Sequence, residues 1–211
     1  MTRIIVVRHG QSEANVKKIG AGQSNVPLTA LGRIQASAIA EYLLPRENIT
    51  AVYSSDLDRA YETALPTADA LGLHIITDRR LREVDTGLLV GHRIDRRAEE
   101  FPEFYKSLVE APSLVRYPEG EYLPEVYDRV NECISEIAEK HHGQTVLISS
   151  HAGALKTFLA YTFGYSRSEV AKAPPVANAA ISIAEWDGKK MTPIEINTTE
   201  HLKDIPTPIE E

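Results

Sequence analysis

Two short apolar runs, far apart in the chain, each end in a histidine with a glycine close behind, and they constrain the fold more than any other feature. Residues 3 to 7 read Arg-Ile-Ile-Val-Val and lead into Arg8-His9-Gly10. Gln144 to Ser149 reads Gln-Thr-Val-Leu-Ile-Ser and leads into Ser150-His151-Ala152-Gly153. Short runs of this kind, rich in β-branched residues and without polar alternation, are strands buried on both faces, which belong to parallel sheets covered by helices.

The remaining pattern agrees. Thr29 predicts a cap for a helix with Leu31, Ile34, Ala38, Ile39 and Tyr42 on one face, stopped by Pro45. Ala51 to Ser54 reads as a short strand. Asp56 then opens a helix towards Gly72 as its C-terminal cap, with Pro66 expected to bend or split it. A strand follows around His74 to Thr77. The stretch from Gly87 to Glu121 is irregular, punctuated by Pro102, Pro112 and Pro118. Helices are predicted over Leu123 to Lys140 and Ala154 to Phe163. A final hairpin joins Ala179 to Ala184 and Thr192 to Ile196 around Asp187-Gly188. Strands alternating with helices predict an α/β fold of three layers, α/β/α, around a mostly parallel central sheet. With no repeat or low-complexity linker, residues 1–211 read as a single domain with an exposed tail from about Thr198.

Composition enters where it excludes. No apolar run approaches the ~20 residues of a membrane-spanning helix, so no membrane partner is expected. The four apolar residues before Arg8 read as a strand and not as a secretory signal. The only cysteine, Cys133, cannot form an intramolecular disulfide and agrees with a cytoplasmic location. It shares a helical stripe with Val126, Val130, Ile134 and Ile137 and reads as core filler. A net charge of -7 opposes non-specific nucleic-acid binding but leaves room for a local basic pocket that takes a small anion.

On parallel sheets ligands sit beyond the carboxyl ends of the strands, where both His9 and His151 fall. A cation beside His9 lowers its pKa and keeps one ring nitrogen unprotonated, the state a nucleophile needs. The same Arg8 can grip phosphate oxygens bidentately, and Gly10 would let the backbone approach a ligand. Ser54-Ser55-Asp56-Leu57-Asp58-Arg59-Ala60 places Arg59 near a helix N-terminus at another strand end. The helix dipole favours anions there, so an arginine makes sense if a bound anion neutralises it. Glu83, in Arg80-Leu81-Arg82-Glu83-Val84, is by itself either an ion-pair partner or a titrating group. The helix after His151 can also attract an anion.

Arg8-His9-Gly10-Gln11-Ser12-Glu13-Ala14-Asn15 resembles the opening signature of the histidine phosphatase superfamily, which includes the cofactor-dependent phosphoglycerate mutases. The resemblance continues through Pro27-Leu28-Thr29, Gly32 and Gln35. It returns at Ser54-Ser55-Asp56-Leu57 with Arg59-Ala60 and Thr63-Ala64, then at Leu81-Arg82-Glu83 with Gly87 and Gly91. Pro118-Glu119-Gly120-Glu121 and Ser150-His151 complete it. It implies a phosphoglycerate mutase-like fold, a phosphohistidine on His9, and Arg8, Arg59 and His151 around the phosphoryl oxygens. Asn15 and Gly22 would join Arg8, Arg59 and His151 in binding substrate. Glu83 would protonate the leaving oxygen and then help activate water. The catalytic set implied is thus His9, Glu83, His151, Arg8 and Arg59, with no cofactor and no metal. His141-His142 reads as solvent-facing, and His74, His92 and His201 lack ligand-like partners. This chain departs from the family pattern at Leu88-Leu89-Val90, Ala152, Tyr122 and Asn25, positions expected to shape the mouth of the pocket.

Mutases of this family carry a longer segment between the acid and the second histidine, so the compact stretch from Glu83 to His151 favours a phosphatase acting on a small phosphorylated metabolite. The alternatives are a phosphoglycerate mutase or a catalytically silent phosphate-binding regulator. Residues 101 to 123 are expected to cover the pocket, with Tyr105, Arg116 and Tyr117 as candidate substrate contacts. A monomer and a homodimer both fit.

Overall fold

The computed structural model describes residues 1–205. Its strands are β1 (Thr2–Arg8), β2 (Ile49–Ser54), β3 (Ile75–Thr77), β4 (Thr145–Ser150), β5 (Ile181–Trp186) and β6 (Met191–Thr198). Its helices are α1 (Glu13–Lys17), α2 (Ala30–Leu43), α3 (Asp58–Leu71), α4 (Arg97–Glu100), α5 (Pro102–Glu110), α6 (Leu123–Lys140) and α7 (Ala152–Thr162). The six strands form one sheet in the order β3-β2-β4-β1-β5-β6. The first four are parallel, and β5 and β6 add an antiparallel edge. The period-two geometry of strands sends alternate side chains to opposite faces. Ile4, Val6, Val146 and Ile148 meet α6 and α7, while Ile5, Val7, Val52 and Leu147 meet α2 and α3. This is the three-layer α/β/α arrangement expected.

Cys133 lies in the core with the stripe assigned to it. Thr29 caps α2 by accepting from the Gly32 N–H at 3.0 Å, and Gly72 ends α3 in the left-handed region. Four local expectations are corrected. The buried face of α2 is Gly32, Gln35, Ala36, Ile39, Ala40 and Leu43, and Ile34 is exposed. The helix is turned because the loop after β1 must rest on it: Gln35 Oε1 accepts from the Gln11 N–H at 2.8 Å, and a Cβ at Gly32 would overlap the Gln11 carbonyl. α3 begins at Asp58, because Asp56 is taken by a bidentate ion pair with Arg82. Pro66 leaves α3 unbroken from Asp58 to Leu71, and both it and Glu62, whose carbonyl it deprives of a donor, lie on the partly exposed side. The segment after Thr198 docks instead of extending. Leu202 is buried beside Ile39 and Leu43, and His201 Nε2 donates to the Ala179 carbonyl at 3.0 Å. Residues 206–211, including Pro206 and Pro208, lie outside the described residues.

Between Gly87 and Leu123 the chain makes short helical turns with a small core of its own, Leu89, Phe104 and Val115. Among the described residues no helix is long and apolar enough to cross a membrane.

Candidate active site

The parallel register pairs Arg8 with Ser150, so the next residue of each chain segment, His9 and His151, must emerge side by side. Their ring centroids are 5.2 Å apart. β2 ends beside β4 on the other side, and the turn after it carries Arg59 to the same edge. Arg8, His9, Arg59 and His151 are all buried, none more than 7% exposed.

His9 Nδ1 lies 2.7 Å from the Gly10 carbonyl. A carbonyl can only accept, so Nδ1 carries the hydrogen and a neutral ring presents Nε2 with its lone pair free. Burial first, then the Arg59 and Arg8 cations, hold the His9 pKa well below its ordinary value. Burial and Arg59 do the same to His151, neither of whose ring nitrogens has a hydrogen-bond partner among the described residues. Two unsatisfied buried nitrogens of this kind are costly unless a ligand completes them.

The arginines are fixed by main-chain carbonyls. Arg8 Nη1 donates to Val176 O at 2.7 Å. Arg59 donates to Ser24 O and Gly22 O, both at 2.8 Å. Gly22 therefore holds an arginine, in a backbone conformation (φ +49°) that suits glycine. The Glu83 carboxylate accepts from the N–H groups of Val84 (2.9 Å), Gly153 and Ala154 (both 3.2 Å), at the N-terminus of α7. A Cβ at Gly153 would lie 2.6 Å from Glu83 Oε1, so that glycine is what allows the approach. Asn15 Oδ1 accepts from the Ser12 N–H and hydroxyl and from Asn178 Nδ2, which fixes the amide and leaves its N–H₂ to donate. A Cβ at Gly10 would stand 2.5 Å from the Gly32 carbonyl, so this glycine seats the loop on α2.

Of the covering residues, Tyr117 is half-buried against Phe104 and close enough to Glu83 for the carboxylate, after burial itself, to raise its pKa. Tyr105 is exposed, and Arg116 pairs with Glu125 at 3.1 Å over the Tyr122 ring. His141 is half-buried, not solvent-facing, and its ring meets the Tyr53 hydroxyl at 2.9 Å.

Two supporting residues have no motif that announces them. Arg129 of α6 donates to the carbonyls of Arg80, Arg82 and Glu83 and makes a bidentate pair with Glu121, clamping the turn that carries Glu83. Asn178 donates to the carbonyls of His9 and Gly10 as well as to Asn15. Both act through backbone groups that come near only in the fold. Among the described residues no cluster of His, Cys, Asp or Glu could hold a metal ion.

Buried cations beside an imidazole whose pKa is held low, with a carboxylate at the start of the helix that follows the second histidine, fit a phosphoryl-transfer enzyme. The chain belongs to the histidine phosphatase superfamily (branch 1), whose family model matches residues 4–199. It is 32% identical over 202 residues to phosphoserine phosphatase 1 of Hydrogenobacter thermophilus, covering 96% of this chain and 95% of that one. It is 33% identical to phosphoglycerate mutase-like protein 4 of Arabidopsis thaliana, covering 95% of this chain and 87% of that protein. Among solved structures, Bacillus stearothermophilus YhfR superposes with a TM-score of 0.89 at 28% identity, over 96% of this chain and all (100%) of that one. Superfamily and relatives together place the activity in the phosphatase-or-mutase class.

Proposed function

We propose that this chain is a phosphomonoesterase that hydrolyses small phosphorylated metabolites through a phosphohistidine on His9, with Glu83 as general acid and no metal. The carrying observation is the His9 ring: Nδ1–H is spent on the Gly10 carbonyl, and burial and two arginines keep Nε2 unprotonated. Nε2 attacks phosphorus, the bond from phosphorus to the ester oxygen breaks, and that oxygen takes a proton from Glu83. Water then attacks the phosphohistidine and gives Glu83 its proton. The P–N bond breaks with its electrons returning to Nε2, and phosphate leaves.

Arg8 and Arg59 supply preorganised positive charge, and the one ring N–H of a neutral His151 a donor, for the equatorial oxygens, the role a metal plays in other phosphatases. Asn15 adds a neutral donor. The Gly22 carbonyl holds Arg59 in place at the substrate. The cytoplasm is the expected compartment, with no membrane or nucleic-acid partner.

Rapid acid-free quenching during turnover of a ³²P-labelled ester tests the reading. Label should sit on His9, stable in base and released by mild acid. Turnover with no base-stable, acid-labile label at any time would replace the covalent route by direct attack of water. Activity that survives excess chelator is the companion result expected for metal independence.

A further inference from the structure

The Gly10 carbonyl takes His9 Nδ1–H and so decides which ring nitrogen is left to react. A carbonyl oxygen has two lone pairs, and here the second is taken as well. Asn178, in the loop before β5, donates through Nδ2 to Gly10 O at 3.3 Å and to His9 O at 3.1 Å. The N–H of the same Gly10–Gln11 peptide donates to Gln35 Oε1 at 2.8 Å. On the near side, the Gly10 N–H donates to Thr63 Oγ1 at 3.1 Å. The peptide plane that orients the imidazole is thus held at both ends by side chains from different elements, Gln35 of α2 and Asn178 from late in the chain.

The loop that carries Asn178 is itself braced. Asn197 of β6 accepts from the Ala177 N–H at 3.1 Å through Oδ1 and donates to the Pro175 carbonyl at 2.8 Å through Nδ2. The Ala179 N–H donates to His9 O at 3.2 Å, and Val176 O accepts from Arg8 Nη1. Residues 175–179 therefore hold the nucleophile and the arginine beside it in one frame. The orientation of the Asn178 amide follows from its partners, since Gly10 O, His9 O and Asn15 Oδ1 can only accept.

We propose that Asn178 is a positioning residue for the nucleophile: by fixing the Gly10 carbonyl it holds His9 in the Nδ1–H tautomer, with Nε2 aimed at phosphorus. The assignment rests on the phosphatase reading above. Asn178 acts through the main chain and gives no proton to the reaction.

The test makes two measurements on wild type, Asn178→Ala and Asn178→Asp, the last of which keeps the shape of the side chain and removes its donors. The first is kcat/KM on an alkyl and an aryl phosphate. Both variants should lose about 10²-fold on both esters, mainly through kcat, the cost of displacing a reacting group by about 1 Å. That parallel loss separates Asn178 from Glu83, whose removal should depend on the leaving group. The second is the His9 tautomer in the free enzyme, read from ¹H–¹⁵N correlations in protein labelled with ¹⁵N-histidine and assigned by the signal missing in His9→Ala. Wild type should carry its ring hydrogen on Nδ1, and both variants should show Nε2–H as well. Thermal melting establishes that each variant is folded. A wild type with the hydrogen on Nε2, folded variants that keep wild-type kcat/KM, or variants that lose it with the tautomer unchanged overturn the role. A wild type inactive on both esters overturns the phosphatase reading instead, and the tautomer comparison still decides for or against Asn178.

Discussion

The floor of the active site and its cover are built on opposite principles. On the floor, Arg8, His9, Arg59 and His151 are buried at strand ends and helix starts, and the arginines are locked by carbonyls. The cover, from Gly87 to Leu123, is a succession of turns and the short helices α4 and α5 over three buried apolar side chains of its own, with Leu88, Ile94, Tyr105, Val109 and Leu114 exposed. Charge stabilisation of a transition state requires dipoles and cations that need no reorganisation, and that demands a rigid, dry floor. Recognition of the rest of the substrate demands no such rigidity, and segments with few buried contacts are free to vary. In the proposed mechanism the floor carries the reaction, which leaves the choice of substrate to the cover.

The largest effect that could break this division is at the nucleophile. His9→Ala should lower turnover by about 10⁴-fold or more on every ester and abolish the label, since removing one member of a nucleophilic set costs nearly the whole of its contribution. Near-normal turnover would move the chemistry elsewhere. Glu83→Gln should cost about 10²–10⁴-fold on alkyl phosphates, the usual worth of a general acid. It should cost much less on an aryl phosphate, whose leaving group needs no proton. Equal losses on the two esters would remove Glu83 from the acid role. His151→Ala should slow transfer by about 10²–10³-fold, as loss of one preorganised donor does, while label still forms on His9.

A smaller effect separates floor from cover through pH. Unfolded imidazoles take up protons near pH 6.5, whereas those of His9 and His151 are held well below that value in the fold. Below pH 6.5 the unfolded chain therefore binds more protons, and stability falls as the pH drops. The slope is about 1.4 kcal/mol per pH unit for each such histidine. His201, lowered by burial in the docked tail, works in the same direction. Urea unfolding between pH 5 and 8 should show this decline, shallower in His151→Asn. Identical slopes in wild type and variant would mean that His151 takes up its proton at the same pH in the fold as in the unfolded chain. Least of all, Leu202→Ala should destabilise the chain by about 2–4 kcal/mol without altering KM, because the docked tail supports α2 on the face away from the cover. An unchanged denaturant midpoint would return the tail to the exposed extension that its composition implies.

Much of the floor was legible because its signals are local. A β-branched run that stops at Arg8-His9-Gly10, and another that stops at Ser150-His151, place both rings at strand ends before any contact is known. Cys133 and its stripe follow from helical spacing in the same way. Where the reading slipped, a distant partner had overridden a local preference. Asp56 is a good helix opener, but Arg82 claims it. Ile34 has the right character for the buried face of α2, yet the loop at Gln11 turns Gln35 inward instead.

The amino-acid sequence by itself determined the order of the strands and of the long helices α2, α3, α6 and α7, the position of His9 and His151 at strand ends, and the list of groups able to carry charge. These depend on periodicity, turn chemistry and side-chain identity, all properties of near neighbours in the chain. Tertiary structure alone decided the tautomer of His9, the clamp of Arg129 on the Glu83 turn and the anchoring of Asn15 by Asn178. Each of these is a hydrogen bond or a burial between residues tens of positions apart or hidden from water. Its strength depends on distance and desolvation, which exist only once the sheet has brought the loops to one edge.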